Sequence, residues 1–321
     1  MVLESTYRPD LFFKNGHFNT IYRTLVHQFQ LDYERERIDT PDGDFLDLDW
    51  IRRGNQDLVL IIHGLEGSTE SKYVISLGLK AIEQNFDVLA MNLRGCSGEI
   101  NRLYKSYHSG ETQDLEHVLN HMINSTKYKN IFLVGYSLGG NQTLKFLGET
   151  QKNNVVNKAV AISVPCDLQA SSVEIMKPKN FIYLYRFLNT LKPKLIKKNE
   201  IFKVPLDGEK INQIKSFTEF DNIYTAPAHG FKDALDYYKR CSSKPFIPFI
   251  EKKTLIISAL DDPFLSKSCF PFEEAQNNHY VHLETPNFGG HVGFNAMLNY
   301  KKDFWLENRI LEFFRSASAF F

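Results

Sequence analysis

The residues Gly135-Tyr136-Ser137-Leu138-Gly139-Gly140 set a serine between glycines two positions away on either side. A serine hydroxyl becomes a nucleophile only when a base takes its proton and a third group orients that base. Residues of both types follow in Leu260-Asp261-Asp262-Pro263 and in Gly289-Gly290-His291-Val292-Gly293. The chemistry that Ser137, His291 and Asp262 could perform is acyl transfer. The hydroxyl would attack a carbonyl carbon, the imidazole would take the proton, and the carboxylate would hold the imidazole. Asp262 is preferred to its neighbour Asp261 because it lies three residues beyond Ala259 and Pro263 fixes the turn after it. His291 lies among glycines, which permit a loop that exposes an imidazole. The charge gathering on the carbonyl oxygen needs two preorganised N–H donors. One is expected from the backbone amide of Leu138. The other is expected from Leu65, in a loop that Gly64 and Gly67 allow to bend close to the substrate. His63 in the same loop is read as structural.

Such a group works only if the chain folds to bring its members together. The serine motif needs a strand before it and a helix after it, and both are legible. Residues 131–134 form an apolar run, and 138–147 carry apolar residues at helical spacing. The same alternation covers most of the chain. Strands are expected at 58–62, 86–91, 159–164, 254–259 and 280–284, and helices at 71–84, 114–123 and 305–314. Residues 45–50 alternate apolar with acidic, which reads as a half-buried strand near a sheet edge. Solid apolar strands separated by helices imply right-handed crossovers and a mainly parallel sheet covered on both faces. The serine, the aspartate and the histidine would then all sit at its carboxyl edge. The rhythm breaks over 167–243, where aromatics and lysines dominate and Pro178, Pro193 and Pro205 interrupt. That stretch reads as a largely helical cap inserted into a single domain spanning 1–321.

The sequence has 321 residues, 43% of them hydrophobic and 24% charged, a globular profile. Lys plus Arg and Asp plus Glu both number 38, so no overall field directs the chain to nucleic acid. The four cysteines are widely spaced and form no CxxC pair, consistent with reduced thiols and a cytoplasmic location. The N-terminal residues lack the apolar run of a secretory signal.

Several motifs together resemble the YheT-like branch of the α/β-hydrolases. They are Asn15-Gly16-His17 with Thr20, His63-Gly64-Leu65-Glu66-Gly67-Ser68, Arg94-Gly95-Cys96-Ser97-Gly98-Glu99 and Tyr107-His108-Ser109-Gly110-Glu111-Thr112. The serine motif, Thr225-Ala226-Pro227 with Gly230-Phe231, and the two motifs around Asp262 and His291 complete the set. The resemblance spans nearly the whole chain. It implies the α/β-hydrolase fold, a Ser-His-Asp triad at Ser137, His291 and Asp262, and carboxylesterase or acylglycerol-lipase chemistry on a small-molecule ester without a cofactor or metal. Acyl transfer to an alcohol and a non-catalytic binding scaffold are the alternatives, and the presence of all three triad residues weighs against the scaffold.

Other constellations carry less. Arg94 is expected to brace the site through Glu99 or Glu111. His117 and His121 lie four apart on a helix with Asp114 one turn earlier, but no third ligand is evident, so no metal site is expected. Residues 177–198 hold seven Lys and Arg and no Asp or Glu, with aromatics between them. They read as a cap helix with an apolar inner face and a basic outer one, and as a place of weak peripheral contact with a lipid surface.

Overall fold

A computed structural model describes residues 1–126, 128–204, 206 and 208–316; Pro205 lies outside the described residues. Among the described residues nine strands form one sheet. They are β1 (Val2–Leu3), β2 (Glu34–Asp39), β3 (Phe45–Ile51), β4 (Asp57–Ile62), β5 (Asp87–Met91), β6 (Asn130–Tyr136), β7 (Val156–Ile162), β8 (Lys253–Ile257) and β9 (Val281–Glu284). Their order is β1-β9-β8-β7-β6-β4-β5-β3-β2. All pairs are parallel except β3 with β5 and β2 with β3.

The helices are α1 (Gly16–Val26), α2 (Lys72–Glu83), α3 (Gln113–Ser125), α4 (Leu138–Thr150), α5 (Leu168–Ile175), α6 (Phe181–Phe202), α7 (Gly208–Gln213), α8 (Phe217–Phe220), α9 (Ala226–Ala228), α10 (Ala234–Cys241), α11 (Phe272–Asn277) and α12 (Trp305–Arg315). Side chains alternate across a strand, so β4 feeds two cores. Leu58, Leu60 and Ile62 meet Leu119 of α3 and Leu147 of α4, while Val59 and Ile61 meet Leu77 of α2 and Ile310 of α12. This double burial is why the run is solidly apolar. Between β7 and β8 every regular element is helical, and α6, α7 and α8 share a separate apolar cluster.

Three expectations are corrected. Residues 45–50 are not half-buried: they lie in β3, which is buried throughout, because β2 covers its edge. The acidic positions survive burial through bidentate pairing, Arg35 on Asp49 at 2.7 and 2.8 Å and Arg37 on Asp47 at 2.7 and 2.8 Å. Those arginines gave β2 no readable apolar period. Pro193 does not interrupt the cap helix, because α6 runs through it. A proline there forfeits one backbone bond, and the buried face carrying Leu184, Leu188 and Leu195 holds the helix together. Arg94 does bind carboxylates, but they are Asp114 at 2.6 and 2.7 Å, Asp42 at 2.9 Å and Asp44 at 3.3 Å, not Glu99 or Glu111. Glu99 pairs instead with Arg37 at 2.8 Å. No helix among the described residues is long and apolar enough to cross a membrane, and all four cysteines are buried and unbridged.

Candidate active site

Ser137 stands at the turn from β6 into α4 with φ 53° and ψ −115°. A non-glycine residue takes this conformation only under constraint, and the neighbouring glycines supply the room. A Cβ on Gly135 would come 2.3 Å from the carbonyl oxygen of Gly139, and one on Gly139 would come 2.6 Å from those of Ile62 and His63. The serine amide donates to Ile162 of β7 at 2.8 Å, which locks the turn to the sheet.

His291 Nε2 lies 2.9 Å from Ser137 Oγ, and its Nδ1 lies 2.9 and 3.2 Å from the two carboxylate oxygens of Asp262. The geometry requires the proton on Nδ1, donated to Asp262, and leaves Nε2 free to accept from the serine. Asp262 is wholly buried at its side chain and also accepts from the Phe264 amide at 2.9 Å. The Phe264 ring lies 4.2 Å from the imidazole. Asp261 points elsewhere: its Oδ1 accepts from the Gly290 amide at 2.9 Å. Burial and the neighbouring Asp262 charge push its carboxyl up to about 6. It steadies the histidine loop and does not touch the imidazole.

The rest of that loop is held by the N-terminal helix, a role the sequence reading did not assign. The His291 amide donates to Thr20 Oγ1 at 2.8 Å, and Val292, at φ 59°, donates to Ser163 Oγ at 2.9 Å. A Cβ on Gly290 would strike the Gly16 carbonyl oxygen at 2.3 Å. The signal for this was Asn15-Gly16-His17 with Thr20, but nothing local in those residues names its partner.

Leu65 and Leu138, the residues of the predicted donors, line the first cavity together with Ser137. Among the described residues the amides of Leu65 and Leu138 donate to no protein group. Gly64 lies so near that a Cβ there would be 3.1 Å from Ser137 Cβ. Burial lowers His63 to about 4, so it is neutral. Its Nε2 accepts from the Leu93 amide at 3.1 Å and its Nδ1 donates to the Gly64 carbonyl at 2.7 Å. Glu66, at φ 53°, is tied down on every side. Tyr107 donates to its carboxylate and accepts from its amide, both at 2.9 Å, and Lys194 of α6 reaches it at 2.8 Å. The loop that carries Leu65 is thus fastened directly to the helix above the site.

Two cavities meet at Ser137 and His291. The first encloses about 1180 Å³ counting its open mouth, and Leu138, Leu168, Ile175, Phe187, Leu191 and Leu195 line much of it. The second runs between α1, α2 and α6, with Thr20, Lys72, Tyr183, Arg186 and Thr190 on its walls.

His117 and His121 bind no common point: His117 Nε2 lies 2.9 Å from the Asp39 carbonyl and His121 Nε2 lies 2.8 Å from Glu36. They fasten α3 to β2. One other group of ligand types, His108, Glu111 and His229, comes together among the described residues. There His108 Nδ1 accepts from the Gly110 amide at 3.1 Å, so the ring's proton is on Nε2, facing Glu111 at 3.5 Å. A protonated nitrogen is the wrong form for a ligand.

The alpha/beta hydrolase fold family matches residues 57–292. The protein YheT of Escherichia coli (strain K12), named as a candidate esterase, is 35% identical over 305 residues, covering 93% of this chain and 89% of its own. Phospholipase ABHD3 of Homo sapiens is 27% identical over 304 residues, covering 91% of this chain and 74% of its own. The solved structure of the Pyrococcus furiosus esterase Pf2001 superposes with a TM-score of 0.60 at 18% identity, over 90% of this chain and 96% of that one, a likeness of fold. On the family match and the identity to YheT, the chain belongs to the α/β-hydrolase family, in its YheT-like branch.

Proposed function

We propose that this protein is a serine hydrolase that cleaves carboxylic esters through an acyl-enzyme, with Ser137 as nucleophile, His291 as base and Asp262 as the group that orients it. The observation that carries this reading is the continuous relay Ser137–His291–Asp262, joined at 2.9 Å on each side of the imidazole. Ser137 Oγ attacks the ester carbonyl as His291 Nε2 takes its proton, and the buried Asp262 carboxylate stabilises the imidazolium. The free amides of Leu65 and Leu138 receive the oxyanion; loss of one such donor typically costs about 10²–10³ in kcat. The imidazolium then protonates the departing alcohol, and water repeats the sequence on the acyl-enzyme.

The two cavities divide the substrate. The first, walled by Phe187, Leu191 and Leu195 of the 167–243 cap, takes the acyl chain, and the second takes the alcohol of a small ester or acylglycerol. The names of the relatives, an esterase and a phospholipase, support ester chemistry of this kind. Ser137→Ala is expected to lower p-nitrophenyl butyrate turnover by about 10⁴-fold or more and to abolish labelling by a fluorophosphonate. Turnover by the folded variant near the wild-type rate would refute the assignment.

A further inference from the structure

The second cavity opens where two distant segments meet. It is lined by Ile21, Thr24 and Leu25 of α1 and by Tyr183, Arg186 and Thr190 of α6, and it reaches Ser137 and His291. The two helices are fastened by His17 Nδ1 and the Tyr183 hydroxyl at 3.1 Å, with their rings stacked at 5.8 Å. Both segments leave large apolar side chains in solvent. Leu11, Phe12 and Leu25 are 81%, 65% and 73% exposed on the first, and Phe181, Ile182 and Tyr185 are 63%, 71% and 58% exposed on the second.

Charge is segregated in the same two places. Residues 11–26 and 177–198 together contain nine Lys and Arg and no Asp or Glu, in a chain of zero formal charge. Arg23 and Lys198 are buried, and Lys177, Lys179 and Lys194 pair with Glu174 or Glu66. Lys14, Arg186, Lys192 and Lys197 have no carboxylate partner among the described residues. The acids nearest in sequence, Asp10, Glu174 and Glu200, lie just outside the two segments, and Glu70 stands beside Lys72 on the cavity's other wall.

We infer that this face docks on an anionic lipid bilayer, with the exposed apolar side chains of residues 11–25 and of α6 inserted and the unpaired cations on the headgroups, so that the second cavity opens into the membrane surface. Exposed aromatics and aliphatics with cations beside them are the chemistry of an interfacial anchor. A second copy of the chain fits less well, since a two-fold contact would set the same unpaired cations against each other. Docked this way, an ester would pass from the bilayer to Ser137 without its apolar chain crossing water. That use rests on the proposed hydrolase function; the docking does not.

The test is flotation of the full chain with vesicles of phosphatidylglycerol and phosphatidylcholine in equal parts, beside vesicles of phosphatidylcholine alone. Partitioning is expected to be about tenfold stronger on the anionic vesicles and to weaken as salt is raised. Phe181→Ser with Ile182→Ser, and separately Leu11→Ser with Phe12→Ser, should each reduce it about fivefold or more while leaving turnover of the soluble p-nitrophenyl butyrate unchanged. None of these four residues lines either cavity. Ser137→Ala should float like the wild type. No binding to anionic vesicles, equal binding to neutral ones, or a wild-type dimer that these variants dissociate would overturn the inference. A wild type that floats but takes no fluorophosphonate label would instead sink the hydrolase reading and leave the docking standing.

Discussion

Asp262→Asn tests the relay at its most buried point. The side chain is almost isosteric and fully enclosed, so the change is electronic more than steric, and two orientations are available. If the amide nitrogen takes the place of Oδ2, it donates to His291 Nδ1. The ring's proton must then move to Nε2, which faces Ser137 Oγ at 2.9 Å and can no longer accept. If the amide is turned over, its nitrogen replaces Oδ1 and confronts the Phe264 amide, donor against donor, at 2.9 Å. The second orientation keeps the productive tautomer but leaves a buried donor unsatisfied, at about 1–3 kcal/mol, and forfeits a charge-assisted bond of about 1.5–3 kcal/mol. The barrier should therefore rise by about 3–6 kcal/mol, which is about 10²–10⁴ in kcat. KM should hardly move, because Asp262 lines neither cavity. Initial rates on p-nitrophenyl butyrate, with thermal melting to verify the fold, give the answer. Asp261→Asn is the control: an asparagine oxygen still accepts from Gly290, so kcat should stay within about threefold. An Asp262→Asn enzyme within tenfold of wild type, or an Asp261→Asn enzyme equally crippled, would refute the argument.

Lys194→Met should leave the nearly buried Glu66 charge unpaired beside Leu65 and lower kcat about tenfold with less effect on KM; Lys194→Arg should recover most of it. Unchanged kcat in the methionine variant would mean that the cap does not steady that loop. A pH dependence follows from Asp261, whose carboxyl is raised from 3.8 to about 6 by burial. The folded state then holds the proton more tightly than the unfolded one. The stabilisation is complete below the unfolded value and is lost as pH rises through about 6. The Tm of Asp261→Asn minus that of wild type should therefore grow between pH 4 and about 6 and level off above; a flat difference across that window would contradict the burial argument.

The candidate constellation was legible because each member depends on its immediate neighbours. A serine in a turn this tight forces Gly135 and Gly139, and strands buried on both faces must be apolar throughout, so β4, β6, β7 and β8 announce themselves. Asp262 and His291 follow such strands by a few residues. The edge of the sheet was not legible by the same logic. Arg35 and Arg37 of β2 are there to neutralise Asp49 and Asp47 of β3, and a strand whose side chains answer to a neighbour's charges carries no apolar period of its own.

The chain's one-dimensional order therefore determined the elbow, the parallel sheet and the residues offered for the relay, since all three are set by steric limits and burial that act within a few residues. The offset from Ala259 and the proline at 263 favoured Asp262 over Asp261, but tertiary structure alone supplied the group that each carboxylate reaches, His291 for Asp262 and the Gly290 amide for Asp261. It likewise decided that Thr20 and Asn19 hold the histidine loop, that Lys194 fastens Glu66, and that α1 and α6 line one cavity. Those contacts join residues more than a hundred positions apart, and no local pattern of residue types carries information about a partner at that distance.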